Sequence, residues 1–102
     1  MTDQELLDKV AQMDNFSVSI LVEDKSDDWS LAKEVGKYLI RVDPTLLIGH
    51  LVLARACRHL GELAEAASEV AACRAVVEHG NLGGEVEWLL TLDEEESRVE
   101  GR

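Results

Sequence analysis

The sequence has few aromatic residues, almost no proline and no long apolar run. Only 4% of its 102 residues are aromatic, and it contains one proline and two cysteines. Two cysteines do not make the disulfide framework that holds many small secreted domains together. Because proline breaks helix interiors, a single proline leaves long stretches of the chain free to form helices. No apolar stretch approaches the roughly 20 residues of a membrane-spanning helix, so we expect no membrane partner.

Basic residues are also scarce, and they are unevenly placed. The chain has 10 lysines and arginines against 21 acidic residues, for a net charge of −11. This charge repels a phosphate backbone, so we expect no nucleic-acid partner. Residues 29–61 carry five bases and two acids, however, and lie between strongly acidic segments. This distribution, a basic middle with acidic ends, favours self-association or binding of an acidic peptide. The alternative is that these charged residues only form solvated faces of the protein.

The remaining composition is typical of a helical protein. Hydrophobic residues make up 46% of the chain, enough for one modest core, and Ala, Leu, Glu and Val dominate. The opening MTDQELLDKVAQMD is acidic and amphipathic and has no secretory signal pattern, so we expect a cytoplasmic protein. We therefore predict a single all-α domain over residues 1–102.

Apolar residues recur at helical spacing in successive segments. A capping box at Thr2-Asp3-Gln4-Glu5 predicts a first helix over about residues 3–13. Residues 14–23 fit either a strand or a helix, and we favour a helix because no other segment alternates to supply a partner strand. The later helices are predicted over about 28–42, 45–60, 62–78 and 84–99.

Local signals place the ends of these helices. Ser26 or Asp27 is the predicted N-cap of the helix over 28–42, and Asp43-Pro44 ends it. Gly61 is the predicted stop of the next helix, and the last residues from Val99 onward are expected to fray. Small residues at Ala66 and Ala67 are expected to let two helices approach closely.

The stretch around Gly61 resembles the core of a tetratricopeptide (TPR) repeat. The residues that carry the resemblance are Leu53-Ala54, Leu60-Gly61, Ala66, Val70 and Cys73, with Asp28-Trp29, Ala32 and Asp43-Pro44 upstream. The resemblance covers residues 13–78. Residues 13–44 form a degenerate first unit, in which Gly36 stands where a bulky residue is usual, and residues 45–78 form the second unit. The resemblance implies antiparallel helical hairpins in a short right-handed array, with residues 84–99 as a capping helix. A five-helix bundle is the alternative.

The TPR resemblance implies a non-catalytic adaptor or scaffold that holds a peptide or a partner helix. An array normally needs about three units to bury its core. The predicted helix over 45–60 is apolar around most of its circumference, so two units leave apolar surface to cover. We therefore expect a homodimer, and self-association alone is the alternative function.

The predicted partner-binding residues are mostly basic or aromatic. Lys33, Lys37 and Arg41 line one helix face at four-residue spacing, and with Tyr38 they would meet an acidic partner. Trp29 and Trp88 each open a helix beside acidic residues. Each either packs over a helix end or anchors a partner, since tryptophan is enriched at binding hot spots.

A third possible function is a small metal- or thiol-dependent enzyme. A hairpin that turns at Gly61 would bring His50 opposite Cys73, and a His–Cys pair can bind a metal or activate a thiol. The sequence has no second ligand pair, no phosphate loop and no nucleophile elbow, so we expect no catalysis, metal or cofactor. Cys57 and Cys73 would lie about 12 Å apart along the hairpin, too far for a disulfide, and are predicted core residues.

Overall fold

The computed structural model describes residues 4–5, 8, 20, 24–26, 28–45, 47–79 and 85–101, and for His79 and residues 85–90 it describes the backbone alone. Within these residues the long helices are α1, Trp29–Val42; α2, Leu47–His59; α3, Leu63–His79; and α4, Glu85–Glu100. No strand occurs in the described part of the chain. The prediction of an all-helical protein is confirmed.

The predictions for the first 23 residues lie mostly outside the described residues. Gln4, Glu5 and Asp8 are helical, and so is Ile20. The remainder of the predicted helix over 3–13, and the choice between helix and strand over 14–23, stay predictions.

The start of α1 differs from the sequence prediction by one or two residues. Asp28 is the N-cap, since its Oδ1 accepts a hydrogen bond from the Leu31 N–H at 3.0 Å. Ser26 instead accepts from the Asp28 N–H at 3.2 Å and so supports the capping residue. The choice of Ser26 or Asp27 as the N-cap was wrong because Asp28 is the residue whose carboxylate reaches the third helical N–H.

Gly61 ends α2 as predicted. Its φ is +82°, a left-handed conformation that side chains disfavour. The Gly61 N–H donates to the Arg58 carbonyl at 3.1 Å, and the Glu62 N–H donates to the Cys57 carbonyl at 2.8 Å. This pair of bonds is a Schellman motif, which satisfies the last carbonyls of α2 and turns the chain into α3.

Helix α2 is the centre of the molecule, as its sequence predicted. Residues 51–57 are all buried. Helices α1 and α3 both pack against it, and Leu47 and Leu51 belong to one buried cluster with Leu92 of α4. Part of the apolar surface that motivated the homodimer is therefore covered by the chain itself, while Ile48 remains 42% and Leu60 39% exposed.

Helices α1 and α2 come into backbone contact at Gly36. A Cβ at this position would lie 2.8 Å from Leu53 Cβ and 2.9 Å from the Leu53 backbone nitrogen. Trp29, the first residue of α1, stacks on His59, the last residue of α2. The two helices therefore run antiparallel. This close approach requires a residue without a side chain at position 36 of α1.

Helices α3 and α4 pack antiparallel through their apolar faces. Val70 of α3 and Val99 of α4 belong to one buried cluster with Ala66, Leu53 and Cys57. Val99 is only 8% exposed, so the expectation of fraying from this residue onward was wrong at Val99 itself. Ala66 is buried as predicted, whereas Ala67 is exposed beside the α3–α4 seam.

Candidate functional site

The predicted basic face is divided by the fold. Lys33 lies 18% exposed, and its Nζ donates to Glu62 Oε1 at 2.8 Å and Glu62 Oε2 at 2.6 Å. Glu65 lies 3.7 Å from the same nitrogen, and the hydrogen bond to Glu62 raises the pKa of Lys33. Lys33 thus connects α1 to the start of α3, and its charge is compensated within the molecule.

The other members of that face remain at the surface. Lys37 is exposed, with its Nζ 3.8 Å from Glu34. The Arg41 guanidinium lies 5.9 Å from the centre of the Tyr38 ring, a cation–π distance, and the Tyr38 ring packs against the core between α1 and α2. Lys37 and Arg41 are therefore the two cations of this face that lie at the surface.

Trp29 packs within the molecule. Its ring stacks on His59 with the two centroids 3.9 Å apart and the planes 5° from parallel. It also contacts the cluster formed by Ile20, Leu31 and neighbouring apolar residues. This geometry favours packing over a helix end rather than a partner anchor. The side chain of Trp88 lies outside the described residues, so its role stays a prediction.

A buried ionic cluster joins α2 to α4. Arg55 Nε donates to Glu95 Oε1 at 3.0 Å, and Arg55 is 3% exposed and Glu95 0%. Arg55 also donates to the Ile20 carbonyl, and Arg58 donates to the second oxygen of Glu95. Buried charges are stable only when paired and hydrogen-bonded, so this cluster holds the two helices and the segment before α1 together.

Asp24 extends the cluster towards the surface. It accepts hydrogen bonds from Arg58 and from Arg98 Nη1 at 3.3 Å, and its Oδ1 lies 3.1 Å from His59 Nε2. Burial alone would raise the pKa of Asp24, but the bonds from Arg58 and His59 outweigh burial and lower it. The φ of Asp24 is +55°, which is uncommon outside glycine, so these contacts hold a strained backbone.

The sequence reasoning missed this cluster. Its local signals were Arg55 and Arg58, two charges in a mainly apolar helix. The sequence does not identify the acidic residue that pairs with Arg55, because the chain contains 21 acidic residues.

His50 contacts oxygen atoms that the sequence reasoning did not identify. Its Nδ1 lies 2.8 Å from Glu69 Oε2, and its Nε2 lies 2.8 Å from the Pro44 carbonyl. Burial raises the pKa of Cys73 to about 12, so its thiol is protonated at neutral pH. His50 thus orients two helices and a turn, and the thiol-dependent alternative lacks an activated nucleophile.

Both cysteines are buried and free, as their predicted core role requires. Burial raises the pKa of Cys57 to about 11, and its Sγ lies 3.7 Å from Glu65 Oε2. Among the described residues, no three histidines, cysteines or carboxylates are grouped so as to hold a metal ion.

A cleft of about 170 Å³ opens between α3 and α4, and we call it the α3–α4 groove. Val70 and Val99 are buried at its floor, and Ala67 and Ala71 are exposed along its α3 side. Charged side chains form the remainder of the lining. The complete set is Ala67, Val70, Ala71, Arg74, Glu96, Val99 and Glu100.

The charge around the α3–α4 groove is mainly negative. Arg74 donates from Nη2 to Asp93 at 2.6 Å and from Nε to Glu96 at 3.0 Å. Its positive charge is therefore compensated by two carboxylates of α4. Glu96 and Glu100 are the acidic residues of its lining, and Arg74 is the basic one. The α3–α4 groove thus combines an apolar floor with charged side chains along its sides.

None of the helices in the described ranges has the length and apolar character needed to cross a membrane. Comparisons of the chain with protein-family models, with curated proteins and with solved structures found no match.

Proposed function

We propose that the protein is a non-catalytic binding module that holds a helix or peptide of a partner protein against α3 and α4. The observation that carries this proposal is the α3–α4 groove. The α3 side of the groove is formed by the small side chains of Ala67 and Ala71. Small residues allow the axis of a partner helix to approach that of α3 to about 8 Å. Its volume of about 170 Å³ suits one large apolar side chain, since a cavity of about 150 Å³ accommodates benzene.

The TPR-like adaptor is part of this proposal. The hairpin of α2 and α3 turns at Gly61 and buries Ala54, Ala66 and Cys73, three of the residues that carry the resemblance. Helix α4 packs on α3, and this contact supports its proposed role as a capping helix. The right-handed array is proposed on the same basis.

An acidic partner on the basic face is the weaker form of the proposal. Such a partner would depend on Lys37, Tyr38 and Arg41, because Lys33 is held by Glu62 and Glu65. The α3–α4 groove offers both an apolar floor and charge, so it has the stronger claim.

Self-association is the second candidate function, and exposed apolar side chains favour it. Val42 is 63% exposed, Leu63 47%, Ile48 42% and Leu60 39%, and a second copy of the chain could cover them. The net charge of −11 on each copy opposes this arrangement, which is why it stands second.

Site-specific photo-crosslinking tests the binding function. A photoreactive amino acid at Ala71 should form an adduct with a partner protein in the native host cell, whereas the same group at exposed Ser30 of α1 should not. The captured partner, once purified, should bind the wild-type chain and should bind Ala71→Trp at least about tenfold more weakly. Equal adducts at both positions, or no adduct specific to Ala71, would contradict the proposal.

A further inference from the structure

We propose that His50 is a proton-controlled latch between α3 and the turn that joins α1 to α2. With protons on both ring nitrogens, His50 holds the Glu69 carboxylate of α3 and the Pro44 carbonyl of the turn. When the ring gives one proton to water, it keeps Glu69 and releases the turn. This property goes beyond the proposed binding function and does not depend on it.

Both contacts of His50 require a hydrogen on the ring. Its Nδ1 lies 2.8 Å from Glu69 Oε2, and its Nε2 lies 2.8 Å from the Pro44 carbonyl oxygen. A carbonyl oxygen and an ionised carboxylate only accept hydrogen bonds, and a neutral imidazole has one N–H to donate. Imidazole is a stronger base than a carboxylate, so the proton between His50 and Glu69 stays on the ring. The two contacts together therefore require an imidazolium.

The two contacts differ in their surroundings, and this difference decides which one survives deprotonation. The side chains of His50 and Glu69 are 12% and 23% exposed, whereas Pro44 is exposed to solvent. Breaking the bond to Glu69 would take a donor from a partly buried carboxylate, while water can replace the ring at the Pro44 carbonyl. Hydrogen bonds to a charged acceptor are also the stronger kind. The neutral ring should therefore be the tautomer that carries its proton on Nδ1.

The titratable groups of α3 and α4 that face α2 are either neutral or paired. Burial raises the pKa of Cys73 to about 12, so this thiol carries no charge at neutral pH. Glu95 accepts hydrogen bonds from Arg55 and Arg58. Histidine, by contrast, is the side-chain type that gains or loses a proton near neutral pH.

The turn and α1 contribute groups of constant charge. Asp43 accepts hydrogen bonds from the Thr45 N–H at 3.0 Å and the Thr45 hydroxyl at 2.6 Å, and these bonds lower the pKa of Asp43. On α1, Lys37 and Arg41 lie at the surface beside Tyr38. Lysine and arginine keep their charge and tyrosine stays neutral throughout the neutral range. A pH change near neutrality therefore acts on the imidazole ring of the latch.

Release of the turn would alter an apolar part of the surface. Val42, the last residue of α1, is 63% exposed, and Ile48, the second residue of α2, is 42% exposed. Both flank the turn that the Pro44 carbonyl anchors to the ring. The latch thus couples the protonation of His50 to the arrangement of these two side chains.

Nuclear magnetic resonance of the full-length chain with ¹⁵N-labelled histidine tests the latch directly. At about pH 7 both ring nitrogens of His50 should carry protons in the folded chain, whereas in urea most of these rings should carry one, since histidine in water loses its second proton near pH 6.5. At higher pH the folded ring should become the Nδ1–H tautomer. The amide signals of Thr45 and Leu47 should shift over the same pH range, and His50→Gln identifies the ring signals by their loss.

Two glutamine substitutions on α3 isolate the effect of the carboxylate. Glu69→Gln keeps an acceptor for Nδ1 but removes the charge, so the ring should be mainly singly protonated at about pH 7. Glu78→Gln removes an exposed carboxylate from the same helix and should leave both ring nitrogens protonated. Circular dichroism checks that both variants are folded, and the wild-type spectra test the latch without any substitution.

Three results would overturn the proposal. A singly protonated His50 ring in the folded wild type at about pH 7 would show that one of the two contacts lacks a hydrogen. An Nε2–H tautomer at higher pH would show that the ring releases α3 rather than the turn. Equal protonation of the ring in Glu69→Gln and Glu78→Gln would show that the Glu69 carboxylate does not hold the second proton.

Discussion

Arg55 of α2 and Glu95 of α4 form an ion pair in the interior of the molecule, 3.0 Å apart, with both side chains almost fully buried. The two residues are 40 positions apart in the chain. Removing one member of such a pair leaves the other charge buried without compensation. The Glu95 carboxylate also accepts a hydrogen bond from Arg58, so its loss removes an acceptor from two arginines.

We expect Glu95→Gln to lower the free energy of unfolding by about 3–5 kcal/mol, because it leaves Arg55 buried beside a neutral amide. Glu94→Gln is the matched control, since this neighbouring side chain is exposed and should change stability by less than about 0.5 kcal/mol. Urea unfolding followed by circular dichroism measures both. Similar midpoints for the two variants would show that the buried pair contributes little.

Asp24 should make the stability sensitive to acid. Its folded pKa lies below the usual 3.8, so its contribution is present above that value and is lost as the pH falls through the folded pKa. We expect Asp24→Asn to lower the thermal midpoint at neutral pH and to reduce its decline below about pH 4. Exposed Asp8→Asn serves as the control and should follow the wild-type curve. Parallel curves for Asp24→Asn and wild type would remove Asp24 from this role.

The two thiols should be inert in the folded protein. With pKa values raised to about 11 and about 12, Cys57 and Cys73 favour the folded state below pH 9.0, their ordinary value, and this contribution is lost as the pH rises towards the folded values. A disulfide reagent at neutral pH should therefore label neither thiol until urea unfolds the chain. Rapid labelling of native Cys73 would instead restore the thiol-dependent enzyme as a candidate.

Gly36 should tolerate no larger residue. Alanine is the better helix former by about 1 kcal/mol, yet its Cβ would meet the Leu53 backbone. We expect Gly36→Ala to lower the free energy of unfolding by about 1–3 kcal/mol through forced separation of α1 and α2. Glu34→Ala, at an exposed position of the same helix, should be nearly neutral. An increase in stability for Gly36→Ala would mean that the helices adjust without cost.

The four long helices were predictable because their limits depend on neighbouring residues. Pro44 and Gly61 act through their own backbone geometry, and the predicted bounds of α1 to α4 agree with the structure to within two residues at each end. The N-cap of α1 was predicted one or two residues too early, because Ser26, Asp27 and Asp28 are all residue types that cap helices. Asp28 is the N-cap because its carboxylate accepts the hydrogen bond from the Leu31 N–H.

The sites were less predictable because their contacts are distant in sequence. Lys33 and Glu62 are 29 positions apart, and no spacing rule connects them. The groove likewise depends on Ala71 of α3 lying beside Val99 of α4, which follows from how two helices cross. Helical periodicity identifies which face is apolar, but it does not say how much of that face a later helix will cover.

The position of Arg55 also bears on the order of events during synthesis. When α1, α2 and α3 have left the ribosome, Arg55 lies in an apolar helix while Glu95 has yet to be made. Here the central helix requires the last one, so we expect the chain to reach its native packing in one late cooperative step, after translation of α4.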